Sequence, residues 1–163
     1  MTMPGKKPAS PPFTPSFRLG VRCLCIRNGR LLLIRHFSSA TNREFWALPG
    51  GLVEKGETIV HAAQRELAEE TSLQGIPKGI AALQEFPDVA IVEVVIAFSQ
   101  LKGRARLGYD PEQLPDLPKR MRELRWFRQT ELPSFKPESL MNKIFSASGP
   151  GSLIELPHPL SCD

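Results

Sequence analysis

No stretch of the 163 residues is long and apolar enough to cross a bilayer as a helix, since no run approaches the 18 or more apolar residues such a span needs. The opening Met1-Thr2-Met3-Pro4-Gly5-Lys6-Lys7 has no apolar segment of the secretory kind, so a cytoplasmic location without membrane attachment is expected. Cysteine is scarce, at three residues. Cys23 and Cys25 stand two apart in a strand-like run, which points both side chains the same way and disfavours a disulfide. Cys162 lies in a tail with no evident partner. No Cys/His grouping offers four zinc ligands, and unpaired thiols of a reducing compartment are expected. Also lacking are an internal repeat and any basic stretch interleaved with aromatics, the usual mark of an RNA-binding module. Lys and Arg are scattered, apart from a small cluster at Lys119-Arg120-Met121-Arg122 and Arg125.

What is present reads as one globular domain: 41% hydrophobic and 23% charged residues, with a net charge of +4 that suits an anionic partner. Residues 1–16, dense in Pro, Ser and Lys, are expected to be a flexible arm. From Phe17 the chain alternates. Phe17, Leu19, Val21, Cys23 and Cys25 make one strand face, with Leu24 and Ile26 on the other. Asn28-Gly29 then signals a hairpin into Arg30–Ile34. A polar loop over 38–44 precedes a short strand, Phe45–Leu48, which stops at Pro49-Gly50-Gly51. A helix is predicted from an N-cap at Thr58 to Thr71, closed by Gly75 and Pro77. Strands over 79–86 and 91–98, an insertion over 102–118, a last strand at Leu124–Phe127 and a second helix over 137–146 complete the domain. The tail, 147–163, has little to bury. Strands and helices in this order predict a mixed central sheet between helices.

The chemistry is concentrated in Gly51-Leu52-Val53-Glu54-Lys55-Gly56-Glu57, then seven residues, then Arg65-Glu66-Leu67-Ala68-Glu69-Glu70. A helix turns by about 100° per residue, so with Glu66 at zero Glu70 falls near about +40° and Glu69 near about −60°. Three carboxylates thus share one face, while Val60, Ala63 and Leu67 form the stripe expected to pack on the sheet. Such a patch repels itself unless cations lie between the carboxylates, and hard divalent ions such as Mg²⁺ or Mn²⁺ take oxygen ligands and bridge to phosphate oxygens. A Glu/Arg-rich helix is most often a solvated face with ion pairs. Six fixed residues plus one aliphatic at this spacing, however, recur by chance in only about one in a million chains of this length.

The segment resembles the Nudix box, the signature of the MutT family. Gly51, Glu57, Arg65, Glu66, Leu67, Glu69, Glu70 and Leu73 match it, preceded by Trp46-Ala47-Leu48-Pro49-Gly50. The resemblance implies an α/β fold, an α/β/α sandwich with a mixed central sheet over residues 17–146. It implies Mg²⁺ or Mn²⁺ held by Glu66, Glu69, Glu70 and the Gly51 carbonyl. Glu66 would activate water, and Arg65 and Glu57 would support the loop. The implied activity is hydrolysis of a phosphoanhydride bond in a nucleoside diphosphate linked to another moiety, such as a nucleoside triphosphate or an ADP-ribose-like compound. The expected partner is a small-molecule nucleotide. A 5′-end RNA pyrophosphohydrolase and a non-catalytic nucleotide sensor are the alternatives, and an RNA 5′ end and a second copy of the chain (a homodimer) stay open as partners.

Two departures from the box stand out. Ser72 replaces the last Gly, where a left-handed helix-ending conformation is expected. The extra acidic residue that many members place before the last strand has no clear match among Asp110, Glu112, Asp116 and Glu123. Glu93 reads as a satisfied or sheet-edge carboxylate, Trp46 and Trp126 as core aromatics, and His61 as solvent-facing. The only tyrosine, Tyr109, is far from where a dinucleoside-polyphosphate marker falls, and Pro87 does not clearly coincide with the ADP-ribose marker.

Overall fold

The computed structural model describes residues 16–108 and 120–136, with the backbone of 154–155. Strands β1 (Arg18–Arg27) and β2 (Arg30–Ser38) form the expected hairpin. Asn28 and Gly29 have φ of 52° and 68°, the mirror-image turn whose twist matches that of the strands it joins. Strand β3 (Arg43–Ala47), helix α1 (Ile59–Thr71), β4 (Gln74–Phe86), β5 (Ile91–Lys102), β6 (Met121–Arg128), β7 (Phe135–Lys136) and β8 (Ile154–Glu155) follow. The sheet order is β7-β3-β2-β1-β5-β4-β8, with β6 on the free side of β2. The β1–β5 and β3–β7 pairs are parallel and the others antiparallel. This is the mixed sheet of an α/β fold.

Strand β1 belongs to two neighbourhoods. Residues 18–25 pair with β5 in parallel, whereas only Ile26 and Arg27 pair with β2. Where β2 parts from β1, the chain after β3 fills the gap. Cys23 N donates to Pro49 O at 2.7 Å, Val21 N to Gly51 O at 2.8 Å, and Val53 N to Leu19 O at 2.8 Å. The backbone of residues 49–53 therefore serves as a short, irregular strand.

Each sheet face has its own apolar cluster. Val21, Cys23, Cys25, Leu32, Val94, Ile96 and Phe98 pack with Ala62, Ala63 and Leu67 of α1. Leu24, Leu31, Leu33, Leu48, Val95, Ala97, Phe127 and Phe135 pack on the opposite face. The alternation along β1 anticipates this division, because successive strand residues point to opposite faces. Leu67, fully buried, contributes roughly 1.5–3 kcal/mol by leaving water.

Several expected boundaries shift. β1 starts at Arg18, and Phe17 and Leu19 are exposed. The 38–44 loop shortens, since β2 runs to Ser38 and β3 begins at Arg43. β6 begins at Met121 rather than Leu124. Gly75 and Pro77 do not close α1 but lie inside β4, which starts at Gln74 and carries register shifts at both positions. Such irregularities let a strand keep pairing through residues that lack a side chain or an N–H. On α1 the buried residues are Ala62, Ala63, Leu67 and Thr71, and Val60 is only half-buried. The second helix over 137–146 and the insertion from 109 onward lie outside the described residues.

The helix ends as expected. Thr58 caps it by accepting from His61 N at 3.2 Å, and Ser72 takes φ 58°, ψ 20°, its N–H donating to Ala68 O. A Cβ in this left-handed conformation costs energy that glycine avoids. We therefore expect Ser72→Gly to stabilise the fold by about 0.5–1 kcal/mol, raising Tm by about 1–4 °C. An unchanged or lowered melting curve contradicts this account of the cap.

Candidate active site

The site is built where the 49–53 backbone meets one face of α1. Gly50 has φ 146°, and a Cβ there would lie 2.1 Å from Val21 O and 2.9 Å from Arg22 Cα. A Cβ on Gly51 would lie 2.3 Å from Glu66 Oε1. These glycines let the turn approach the strand on one side and the helix carboxylates on the other. The contact is direct: Gly50 N donates to Glu70 Oε2 at 2.7 Å.

The helix arithmetic accounts for the different exposure of Glu66 and Glu69. Glu69, farthest round from the sheet-facing stripe, has a side chain 40% exposed, whereas that of Glu66 is 12% exposed. Burial pushes the Glu66 carboxyl above its ordinary pKa, opposed by the hydrogen bond and charge of Arg65. Desolvation disfavours the charged form, and the guanidinium partly restores it.

Arg65 holds this arrangement together. Its Nε and Nη2 grip Glu57 at 2.9 and 3.0 Å, and Nη2 also donates to Leu52 O at 3.1 Å. Nη1 donates to Glu66 Oε1 at 2.8 Å and Glu69 Oε2 at 3.2 Å. All five N–H donors of the guanidinium are thus engaged. The hydrogen bond to Glu57 holds the Arg65 pKa above its ordinary value, and the same bond lowers that of Glu57. Glu57 in turn closes its own loop, accepting from Glu54 N at 3.0 Å while its N–H donates to Glu54 O at 3.1 Å. A lysine has three donors and no planar fork. We expect Arg65→Lys to lower kcat/KM by about 10–100-fold, the usual cost of removing a group that orients ligands. Unchanged kcat/KM shows that the clamp is not needed.

One support was not read from the sequence. Arg22 Nη2 and Nε bind Glu93 Oε1 at 2.6 and 2.9 Å, and Arg22 Nη1 donates to Gly50 O at 3.0 Å. Glu93, 8% exposed, is therefore the satisfied carboxylate it was expected to be, and through Arg22 it steadies the turn. The only sequence signal is a charge set among apolar neighbours in each of two strands, Arg22 in β1 and Glu93 in β5.

The remaining residues fall outside this cluster. Glu123 pairs with Arg35 at 3.0 Å, as does Glu44 at 2.9 Å, so Glu123 is a cross-strand ion pair. Trp46 meets Phe127 edge to face at 4.8 Å, and both tryptophans pack against the core. His61 is exposed. Burial raises the Cys23 pKa well above its ordinary value and pushes that of Cys25 up to about 12, so both stay protonated thiols. Asp110, Glu112, Asp116 and Cys162 lie outside the described residues.

Among the described residues, no three acidic, His or Cys side chains converge into a ready-made metal-ligand group. Glu66 and Glu69 share Arg65 instead. The donor chemistry nevertheless fits a hard cation. Glu66, Glu69, Glu70 and the Gly51 carbonyl offer only oxygen, and Gly51 O keeps a lone pair beyond its bond from Val21 N.

A mixed sheet carrying a carboxylate-rich helix locked behind a Gly-Gly turn defines the class of protein. The NUDIX domain model matches residues 16–146, and the chain belongs to that family. It is 31% identical over 102 residues to the ADP-ribose pyrophosphatase of Methanocaldococcus jannaschii, covering 57% of this chain and 60% of that protein. It is 28% identical over 127 residues to the NAD-capped RNA hydrolase NudC of Edwardsiella ictaluri, covering 78% of this chain and 44% of that protein. The match thus spans only about half of each curated relative's length. The crystal structure of a MutT NUDIX hydrolase from Burkholderia pseudomallei superposes with a TM-score of 0.59 at 27% identity, covering 71% of this chain and 86% of that one.

Proposed function

We propose that the chain hydrolyses a phosphoanhydride bond in a nucleoside diphosphate linked to another moiety, using Mg²⁺ or Mn²⁺. The observation that carries this reading is the packing of Glu66 and Glu70 against the Gly50-Gly51 turn, with Arg65 tying Glu57, Glu66 and Glu69 into one unit. Glu66, Glu69, Glu70 and the Gly51 carbonyl would hold the cation. Once bound, such an ion neutralises charge on phosphate oxygens and orients them.

Glu66 is the residue we assign to take the proton from the attacking water. It sits on a rigid helix and needs no loop closure to reach its position. Arg65 fixes its orientation, and Glu57 fixes Arg65.

The test is a panel of ADP-ribose, NAD and nucleoside triphosphates incubated with Mg²⁺ or Mn²⁺, with products identified by mass spectrometry. Release of a nucleoside monophosphate from at least one compound is expected, and only when metal is present. Tight binding of a nucleotide that is never cleaved favours a sensor and overturns the hydrolase reading. A second reading, hydrolysis at the 5′ end of RNA, is supported by the NudC relative. It predicts activity that falls steeply with salt.

A further inference from the structure

Three arginines stand directly opposite one another across adjacent strands. Arg27 of β1 pairs with Arg30 of β2, and Arg30 pairs with Arg128 of β6. Residues in register on neighbouring strands point to the same face, so three guanidinium groups share one row. Like charges placed opposite each other destabilise a sheet, and none of the three has an ion-pair partner among the described residues. Arg35 and Arg22 of the same sheet are paired, Arg35 with Glu44 and Glu123 and Arg22 with Glu93, whereas Arg18, Arg43 and Arg125 have no ion-pair partner among the described residues but do not stand opposite one another.

The row borders a cavity of about 380 Å³ lined by Arg27, Asn28, Arg30, Trp126 and Arg128. Trp126 lies two residues from Arg128, so its side chain is on the same face, with the Arg27 guanidinium 5.4 Å from its ring centroid. Arg27 donates from Nη1 to Gly103 O at 3.1 Å, while its Nη2 is buried without a hydrogen-bond partner. A buried donor left unmade is costly, so this guanidinium is only partly satisfied within the chain.

The segment beyond Gly103 links this face to the box helix. A Cβ on Gly103 would sit 3.0 Å from Ser72 O. Arg106 N donates to Thr71 O at 2.9 Å and Gly108 N to Glu70 O at 2.8 Å. The segment therefore runs back along the last turn of α1, with Arg104 and Arg106 exposed on it.

We infer that the Arg27-Arg30-Arg128 row, with Trp126 beside it, binds the phosphodiester backbone of a single-stranded nucleic acid, one base stacking at Trp126. Several cations in register on adjacent strands suit a chain of phosphates better than a single anion. The adjacent ring supplies the sequence-tolerant stacking that single-strand sites use. Binding at this face does not depend on the box being catalytic.

Fluorescence anisotropy with a short, unstructured, labelled RNA measures it directly. The wild-type chain is expected to bind, and Arg30→Gln/Arg128→Gln to weaken binding at least about tenfold at moderate salt, the size expected from losing two phosphate contacts. The salt slope of log affinity should become shallower by about 1.4, since each phosphate contact contributes about 0.7 for single strands. Arg43→Gln/Lys78→Gln removes the same charge elsewhere and should change binding much less. Trp126→Leu should weaken the RNA but not inorganic polyphosphate. Circular dichroism melts establish that each variant is folded. Equal binding by wild type and the arginine variant, or an equal loss in the charge-matched control, overturns the site. If Trp126→Leu weakens RNA and polyphosphate alike, or neither, the site is not a nucleic-acid site.

Discussion

Glu69→Gln should lower kcat/KM by more than about 10³-fold while leaving the melting temperature nearly unchanged. The side chain is 40% exposed, and its side-chain contact is the 3.2 Å bond from Arg65 Nη1 at the i, i+4 position. An exposed helical pair of this kind is worth about 0.3–0.5 kcal/mol. Glutamine keeps the volume, the helix propensity and an acceptor oxygen, so the fold loses almost nothing. A proposed cation ligand is a different matter, because the neutral amide no longer balances the ion. A factor of about 10³ corresponds to about 4 kcal/mol of lost transition-state stabilisation, roughly tenfold the cost to the fold. Steady-state kinetics and thermal melts on the same sample separate the two quantities. Near-normal turnover would remove Glu69 from the metal site and leave it an ordinary solvated charge.

The second large effect concerns the turn. Gly50→Ala should destabilise the protein by more than about 4 kcal/mol, a drop in Tm of roughly 10 °C or more for a domain of this size. At φ 146° an L-residue is strained, and the added Cβ would meet backbone, Val21 O at 2.1 Å, which cannot swing aside as a side chain can. Gly56→Ala is the internal comparison. Gly56 also has positive φ, 84°, but nothing lies within 4 Å of its would-be Cβ, so only the conformational cost of about 1 kcal/mol applies. If the two variants melt alike, steric closeness at the turn is not what demands glycine at position 50.

These two residues show what could be read in advance. The carboxylate face was legible because helical geometry turns spacing directly into direction, and Glu66, Glu69 and Glu70 need no distant partner to be placed. Asn28-Gly29 was legible for the same local reason. Arg22 and Glu93 were not, being 71 residues apart in sequence and joined only by the parallel pairing of β1 with β5. Gly75 and Pro77 misled because they break regular structure locally, yet β4 absorbs them by shifting register. The arginine row was invisible for a related reason. Arg30 and Arg128 are neighbours only through the β2–β6 register, and composition reports their charge but not their alignment.

The parallel pairing of β1 with β5 also sets a timetable for folding. Arg18 and Ile91 meet only after the intervening chain has been looped out, and an entropic cost of closure precedes any gain from that contact. Hairpin and helix can flicker into existence within microseconds. The ledge on which residues 49–53 rest is half of that late pairing, since Val21 and Cys23 hold the loop with their N–H groups while belonging to the strand that β5 completes. The helix places its carboxylates locally, but the Gly50-Gly51 turn that faces them leans on a strand whose other edge is β5. The loop beside the carboxylates and the most distant strand pairing of β1 thus share one piece of backbone, which couples the order of the turn to completion of the sheet.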